Sequence, residues 1–343
     1  METGLPAHVV GLVVIPCLNE ERHIAAVIES VLSDRLRDRL CIVVADGGSV
    51  DETLPIVADF AVRFANVKLL HNPRRIQSAG VNLAAKLYGR GIRWLIRIDA
   101  HASYPAGYVS GLIAEADRRR PDSVVVAMKA RGTGCFQAAA AAAQNSVLGA
   151  GGSPHRNGSE EGFVDHGHHA LFDMDKFLSL GGYDESQSHN EDAEFDCRLA
   201  HSGGKIWLTR AVDMTYFPRA GAGALYTQYR NYGRGRMTTI LRHRLHPKLR
   251  QMLPAAVAPA VLLAALSPWM PLAAVPALAW MAVCLVYGAL LGLRARSVCA
   301  CGAGIAAAIM HLGWSVGFWQ AAIAAAARGW PPFGRPAAGL GAS

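Results

Sequence analysis

Asp99 and His101 stand two residues apart at the end of an apolar run, Trp94-Leu95-Ile96-Arg97-Ile98. In an extended backbone, positions i and i+2 point to the same side. A carboxylate and an imidazole so placed converge on one cation, or on the phosphates that such a cation carries. Open α/β sheets bind ligands just beyond the carboxyl ends of their strands, which is where this pair falls. A second group, His189-Asn190-Glu191-Asp192, opens a helical stretch over residues 193–201. Carboxylates there are explained by the helix macrodipole, but a helix N-terminus is also a rigid place from which to aim a general base. A third group is Val164-Asp165-His166-Gly167-His168-His169. Its histidines suit a metal or the polar wall of a substrate pocket, and no i, i+4 helical spacing marks a zinc site. Glu20 and Asp46 follow two further apolar runs. Either could accept hydrogen bonds from a ribose or a base, and Asp46 equally reads as a turn residue serving the Gly47-Gly48 backbone.

These groups need a frame to position them. Residues 9–15 read as a buried strand of a sheet covered on both faces. Asn19 is expected to cap the next helix, with Glu20 and Glu21 in its first turn. Ile24, Val27, Ile28, Val31 and Leu32 follow the apolar stripe of that helix. Residues 40–45 form a second strand, and Ser49-Val50-Asp51-Glu52 has the form of a capping box opening a second helix. Residues 67–71, 94–98 and 123–128 add strands, and residues 77–87 and 135–148 add helices. Strands and helices alternating in this way predict βαβ units and a parallel sheet with right-handed crossovers. Residues 149–162 make a Gly-rich loop long enough for a lid, and Asp173 caps a short helix. No G-x-G-x-x-G or G-x-x-x-x-G-K-[ST] is present, so dinucleotide and P-loop readings lose their main support.

The 343 residues carry a formal charge of +8, unevenly distributed. Asp213 is the last acidic residue, and beyond it lie 12 Lys or Arg. Such asymmetry points to a nucleic-acid or membrane partner. Two runs without charge, of 41 residues at 253–293 and 31 at 297–327, favour membrane. A spanning helix needs about 20 residues, so about three spans are expected. Arg230 to Arg250 before the first run, and Arg294 and Arg296 after it, place both clusters on the cytoplasmic side by the positive-inside rule. No secretory signal precedes the first strand. Seven cysteines form no spaced framework, and reduced thiols are expected.

Five stretches occur together in one order: VVIPCLNEE at 13–21, IVVADGGSVDET at 42–53, IRIDAHA at 96–102, LGGYDE at 180–185 and HNEDAEFDCRL at 189–199. Taken together they resemble the family-two glycosyltransferases of the GT-A fold, an α/β, Rossmann-like, mostly parallel sheet flanked by helices. VDHGHHALF at 164–172, QYRNYGRGR at 228–236 and the hydrophobic tail resemble the succinoglycan-type, ExoA-like branch. The resemblance implies inverting transfer of a sugar, with UDP-glucose as the expected donor, to a polyprenyl-diphosphate-linked glycan. Pro16, Asn19, Glu20, Asp46, Gly48, Asp99, Arg234 and Arg236 would bind the nucleotide sugar. Asp99 and His101 match the family's metal-binding Asp-x-Asp with Mg²⁺ or Mn²⁺, His101 replacing the second carboxylate. Asp192, beside Glu191, matches the catalytic base, and His166, His168 and His169 would line a donor or acceptor pocket.

The expected organisation is a cytoplasmic GT-A domain over 1–218 and a basic interfacial segment over 219–252. About three transmembrane helices over 253–328 and a short tail over 329–343 would follow. The catalytic domain would work on the cytoplasmic face of a bacterial-type inner membrane, against membrane lipid. A processive polysaccharide synthase is the nearest alternative, disfavoured by the few spans and the missing Gln-x-x-Arg-Trp. A membrane scaffold with a degenerate nucleotide-sugar domain is another. A nucleic-acid partner rests on positive charge alone, without an aromatic RNA-binding motif.

Overall fold

The computed structural model describes residues 8–151, 161–187, 189–247 and 249–329. They form two compact units. The first takes the chain up to Ala130 and again from 153 to Phe217, and the second takes 131–152 and everything from Pro218. The second unit thus begins again at Pro218, beside the expected break, and also takes in the internal segment 131–152.

The first unit is built on one sheet of nine strands among the described residues, in the order β3-β2-β1-β4-β8-β6-β9-β5, with β7 on β9. The strands are β1 Gly11–Cys17, β2 Leu40–Asp46, β3 Val67–His71, β4 Trp94–Arg97, β5 Ala102–Ser103, β6 Ser123–Ala130, β7 Gly162–Phe163, β8 His168–Asp173 and β9 Ile206–Tyr216. β3, β2, β1 and β4 are mutually parallel, as the alternating pattern predicts. Helices α1 Ile24–Leu32, α2 Thr53–Arg63, α3 Gln77–Tyr88 and α4 Tyr108–Arg119 connect or flank them. The apolar stripe of α1 is buried as its spacing requires. Each such side chain contributes about 1.5–3 kcal/mol by leaving water.

The sheet is mixed rather than wholly parallel. β8 runs antiparallel between β4 and β6, with Trp94 opposite Asp173 and Ile96 opposite Leu171. This pairing lays the start of β8, with His168 and His169, beside the end of β4, with Arg97. The periodicity at 168–173 does not reveal the strand, because two histidines replace its first apolar residues. Behind it, Phe172, α7 Met174–Ser179 with Phe177, Tyr183, and α8 Glu191–His201 with Phe195 close an aromatic cluster. Its ring centroids lie 5.2–5.9 Å apart.

The second unit contains α5 Cys135–Gln144, α6 Val147–Ala150, α9 Ala222–His243, α10 Leu249–Ala255, α11 Val257–Ala264, α12 Val275–Ala295, α13 Val298–Cys301 and α14 Ala303–Ala327. Helix α14 is the axis. A Cβ at Gly233 or Gly317 would overlap a carbonyl of the facing helix, Trp314 or Arg230, so α9 and α14 meet backbone to backbone. Gly288 and Gly304 do the same for α12 against α14. Small residues permit such close approach between helices. Ala139, Ala140 and Ala143 of α5 pack on Ala303, Ala306, Ala307 and Met310, and a disulfide ties Cys135 to Cys299 with Cα atoms 5.0 Å apart. Reduced thiols were the expectation for both; their 164-residue separation gives no local sign of the pairing.

Two helices among the described residues are long and apolar enough to cross a membrane, Pro271–Ala295 and Val298–Ala327. The expected third is absent from them. Leu249–Ala264 is too short for a span and divides into α10, which contains Pro254, and α11. Most of the Gly-rich loop read as a lid, Lys248 of the basic cluster and the tail after Gly329 lie outside the described residues. The close crossing of α9 and α14 makes Gly317→Ala costly. We expect it to lower stability by about 1–3 kcal/mol, as overpacking does, in thermal unfolding of detergent-solubilised protein. Gly223→Ala, where an added methyl meets nothing within 4 Å, should not.

Candidate active site

β4 ends on Arg97, and two residues later the backbone presents Asp99. The Asp99 N–H donates to the Tyr104 hydroxyl at 2.7 Å, which fixes the turn after the strand. Asp99 Oδ1 accepts from Gln77 Nε2 at 2.9 Å and faces Arg97 Nη2 at 3.4 Å. Its Oδ2 lies 3.5 Å from His168 Nε2. His101 turns its Nδ1 to Glu20 Oε1 at 3.2 Å. Glu20 sits on the loop after β1, where its N–H donates to Thr53 Oγ1. A cleft of about 190 Å³ opens here, lined among others by Pro16, Glu20, Asn72, Arg75, Asp99 and His101.

Two expectations for the nearby loops are corrected. Asp46 is buried, and its carboxylate accepts from Gly48 N at 2.7 Å, from Ser49 N and from the Ser49 hydroxyl. It serves the turn, the second of its two readings, and is not among the residues that line the cleft. Asn19 does not cap α1, which starts after His23 without a side-chain cap. Instead Asn19, at φ 56°, accepts from Val50 N, while its own N–H donates to Ser49 Oγ. The stretch 49–52 likewise forms no capping box on α2; with Asn19 and Glu21 it laces the two loops together. Gly48 at φ +90° lets that loop pass beside the Arg75 guanidinium. Arg234 and Arg236 belong to α9 of the second unit.

The second carboxylate group comes from α8. Asn190 takes the left-handed conformation, φ 66°, and Glu191 and Asp192 form the first turn. Asp192 Oδ1 accepts from Arg97 Nη1 at 2.7 Å, and Glu191 Oε1 lies 3.4 Å from the same nitrogen. One guanidinium, with its side chain 5% exposed, therefore holds Asp99, Glu191 and Asp192 together. Arg97 was not singled out from the sequence. The available signal was a charged residue inside a buried strand, which requires partners.

The three histidines divide. His168 faces Asp99, and burial pulls its pKa down to about 4 despite that carboxylate. His169 has no exposed surface and does not line a pocket. Its Nε2 meets Asp196 Oδ1 at 2.7 Å and its Nδ1 meets the Tyr183 hydroxyl at 2.9 Å. His166 bonds the other Asp196 oxygen at 2.6 Å. On β8 the strand's alternation turns His169 toward Asp196 of α8 and His168 toward Asp99.

Among the described residues no three His, Cys, Asp or Glu side chains form a ready cation cage. The donors at Asp99 and His101 nevertheless fit a hard or borderline divalent ion completed by ligand oxygens. The carboxylate–imidazole contact of Glu20 on Nδ1 is how proteins orient a ligating histidine through its other nitrogen.

Burial, reinforced by the charge of Asp192, pushes Glu191 up to about 7. Burial also opposes ionisation of Asp192, but Arg97 overrides it and holds that carboxyl well below the usual range. Folded Glu191 thus keeps a proton that the unfolded chain releases near pH 4.5. Its contribution to stability is intact at low pH and is lost as pH rises through about 4.5 to 7. Glu191→Gln should therefore be more stable than wild type at pH 8, with the gap closing by pH 4.5, in thermal melts across that range.

Comparison with known proteins identifies the family and the fold. The family model Glycosyl transferase family 2 matches residues 12–180. Succinoglycan biosynthesis protein ExoA of Rhizobium meliloti (strain 1021) is 49% identical over 312 residues, 90% of this chain and 94% of that protein. The mannosyltransferase PcManGT of Pyrobaculum calidifontis, solved with GDP-Man and Mn²⁺, aligns with TM-score 0.51 and 21% identity over 88% of this chain and 86% of its own. TarS 1-349 of S. aureus aligns at TM-score 0.49 and 14% identity, over 91% of each chain. The sheet, the ordered motifs and this long identity lead to one conclusion: the chain is a glycosyltransferase of family two, with the GT-A fold.

Proposed function

We propose that the protein transfers a sugar, with glucose in β linkage the leading case, from a UDP-sugar to a polyprenyl-diphosphate-linked glycan, with inversion at the anomeric carbon. The product would belong to an exopolysaccharide of the succinoglycan type. The observation that carries the reading is the convergence of Asp99 and Asp192 on Arg97. A donor held over Asp99 and an acceptor hydroxyl held at Asp192 would meet beyond the end of β4.

In a single displacement the acceptor oxygen bonds to the anomeric carbon as the bond to UDP breaks, and the hydroxyl proton passes to Asp192. A positioned carboxylate contributes about 10²–10⁴ in rate. Arg97 keeps Asp192 ionised, as a base must be before it accepts a proton. The hydroxyl becomes acidic as its new bond forms, so a weakly basic carboxylate suffices. Pro16, Glu20 and Arg75 line the space for the nucleotide. Asp99 and His101 would hold Mg²⁺ or Mn²⁺, which supplies Lewis-acid neutralisation of the departing diphosphate. Imidazole is a better ligand for later transition ions than for Mg²⁺, which favours Mn²⁺.

The two apolar helices and the arginines flanking them support a place in the inner membrane with the catalytic unit on the cytoplasmic face. Helix α9, with Tyr226, Tyr229 and Tyr232 among its arginines, suits an anionic bilayer surface where a lipid-linked acceptor resides.

The test is transfer from a panel of radiolabelled UDP-sugars into a native lipid extract. Asp192→Asn should lose at least about 10²-fold in turnover while still binding UDP, and undiminished turnover would remove the mechanism. EDTA should stop transfer and Mn²⁺ should restore it better than Mg²⁺. His101→Asp should narrow that preference, and an unchanged preference would remove His101 from the coordination.

A further inference from the structure

The side chains behind Arg97 form a continuous polar chain that the transfer reaction does not touch. Arg97 Nη1 donates to the Tyr183 oxygen at 3.3 Å. The Tyr183 O–H lies 2.9 Å from His169 Nδ1, and His169 Nε2 lies 2.7 Å from Asp196 Oδ1. With His169 as the Nε2–H tautomer, every link has one donor and one acceptor: Tyr183 donates to Nδ1, and Nε2–H donates to Asp196. Asp196 stands one helical turn beyond Asp192 on α8, so both carboxylates reach the sheet from the same helix face. Asp192 meets β4 through Arg97, and Asp196 meets β8 through His169.

We infer that Asp196, His169 and Tyr183 are positioning residues for the base: they fix Arg97, and Arg97 fixes the Asp192 carboxylate. Three observations support this. Asp196, His169 and Tyr183 are each at most 2% exposed, so none is a solvent-facing substrate contact. Tyr183 is itself clamped, its N–H donating to Asn82 Oδ1 and its carbonyl accepting from Asn82 Nδ2, both at 2.8 Å. The turn before it needs Gly182, at φ +69°, where a Cβ would overlap Asn82. Finally, the polar chain is threaded through an aromatic cluster in which His169 stacks on Tyr183 and meets Phe172 edge-on. Apolar side chains there would satisfy packing without the desolvation cost of an aspartate and an imidazole. Arg97 alone has three carboxylates to choose among; the Tyr183 oxygen anchors the nitrogen that serves Asp192.

The inference rests on the reading of Asp192 as the base, and the experiment separates the two. Tyr183→Phe removes only the hydroxyl and keeps the ring, and Asp196→Asn removes the charge while keeping the shape. Each should lower kcat by about 10- to 100-fold, the scale of a misaligned reacting group, with KM for the UDP-sugar within about two-fold. The double variant should be no slower than the worse single, because both break one chain. Turnover is counted per UDP-binding site, which removes any loss of folded protein. Wild-type kcat in Tyr183→Phe beside an inactive Asp192→Asn overturns the positioning role and leaves the base intact. Multiplicative losses in the double variant, or KM rising in step with falling kcat, also overturn it. Turnover retained by Asp192→Asn would remove the base, and the positioning role with it.

Discussion

A guanidinium taken out of water beside three carboxylates is the constraint on which the site depends. Moving Arg97 into the sheet carries a desolvation penalty of several kcal/mol, and burying each carboxylate adds its own. Only close, mutually satisfying geometry offsets such costs. The contacts of Arg97 with Asp192, Glu191, Asp99 and Tyr183 supply it, at 2.7–3.4 Å. The cluster remains short of positive charge, and Glu191 responds by holding its proton to higher pH. Two neighbouring carboxyls on one helix turn are thereby driven to opposite states, a pattern seen where acid and base roles must be kept apart.

The sheet topology makes this meeting possible. A wholly parallel sheet would put another parallel strand beside β4, and its residues at the same level would lie at a carboxyl end. The antiparallel insertion of β8 brings an amino end there instead, with histidines where the strand starts. The same reversal feeds α7 and the Tyr183 turn back beneath the site, so that α8 can enter with its first turn at Arg97. Fold and electrostatics are joined at this reversal.

Different physics governs the second unit. Its helices meet through glycines whose missing Cβ atoms allow carbonyl-to-backbone contact, and α14 is sandwiched between a basic, tyrosine-rich helix and an apolar one. Its alanine-lined contact with α5 and the Cys135–Cys299 bond draw residues 131–152 out of the catalytic unit in which their sequence position would place them.

The sequence by itself determined the first four strands, the helices between them, and the family. Those features are local: apolar periodicity, turn residues and short motifs are written within a few positions of one another. Tertiary structure alone decided the partners of Arg97, the use of Asn19 within a loop, and the withdrawal of His169 into the core. It also decided the division of the chain between units and the number of long apolar helices among the described residues. Arg97 and Asp192 are 95 residues apart, Asn19 and Val50 31, and His169 and Asp196 27; a charged side chain in a strand reveals that a partner is required without revealing which one. Pairing direction and burial, which settle that choice, exist only after the chain has folded.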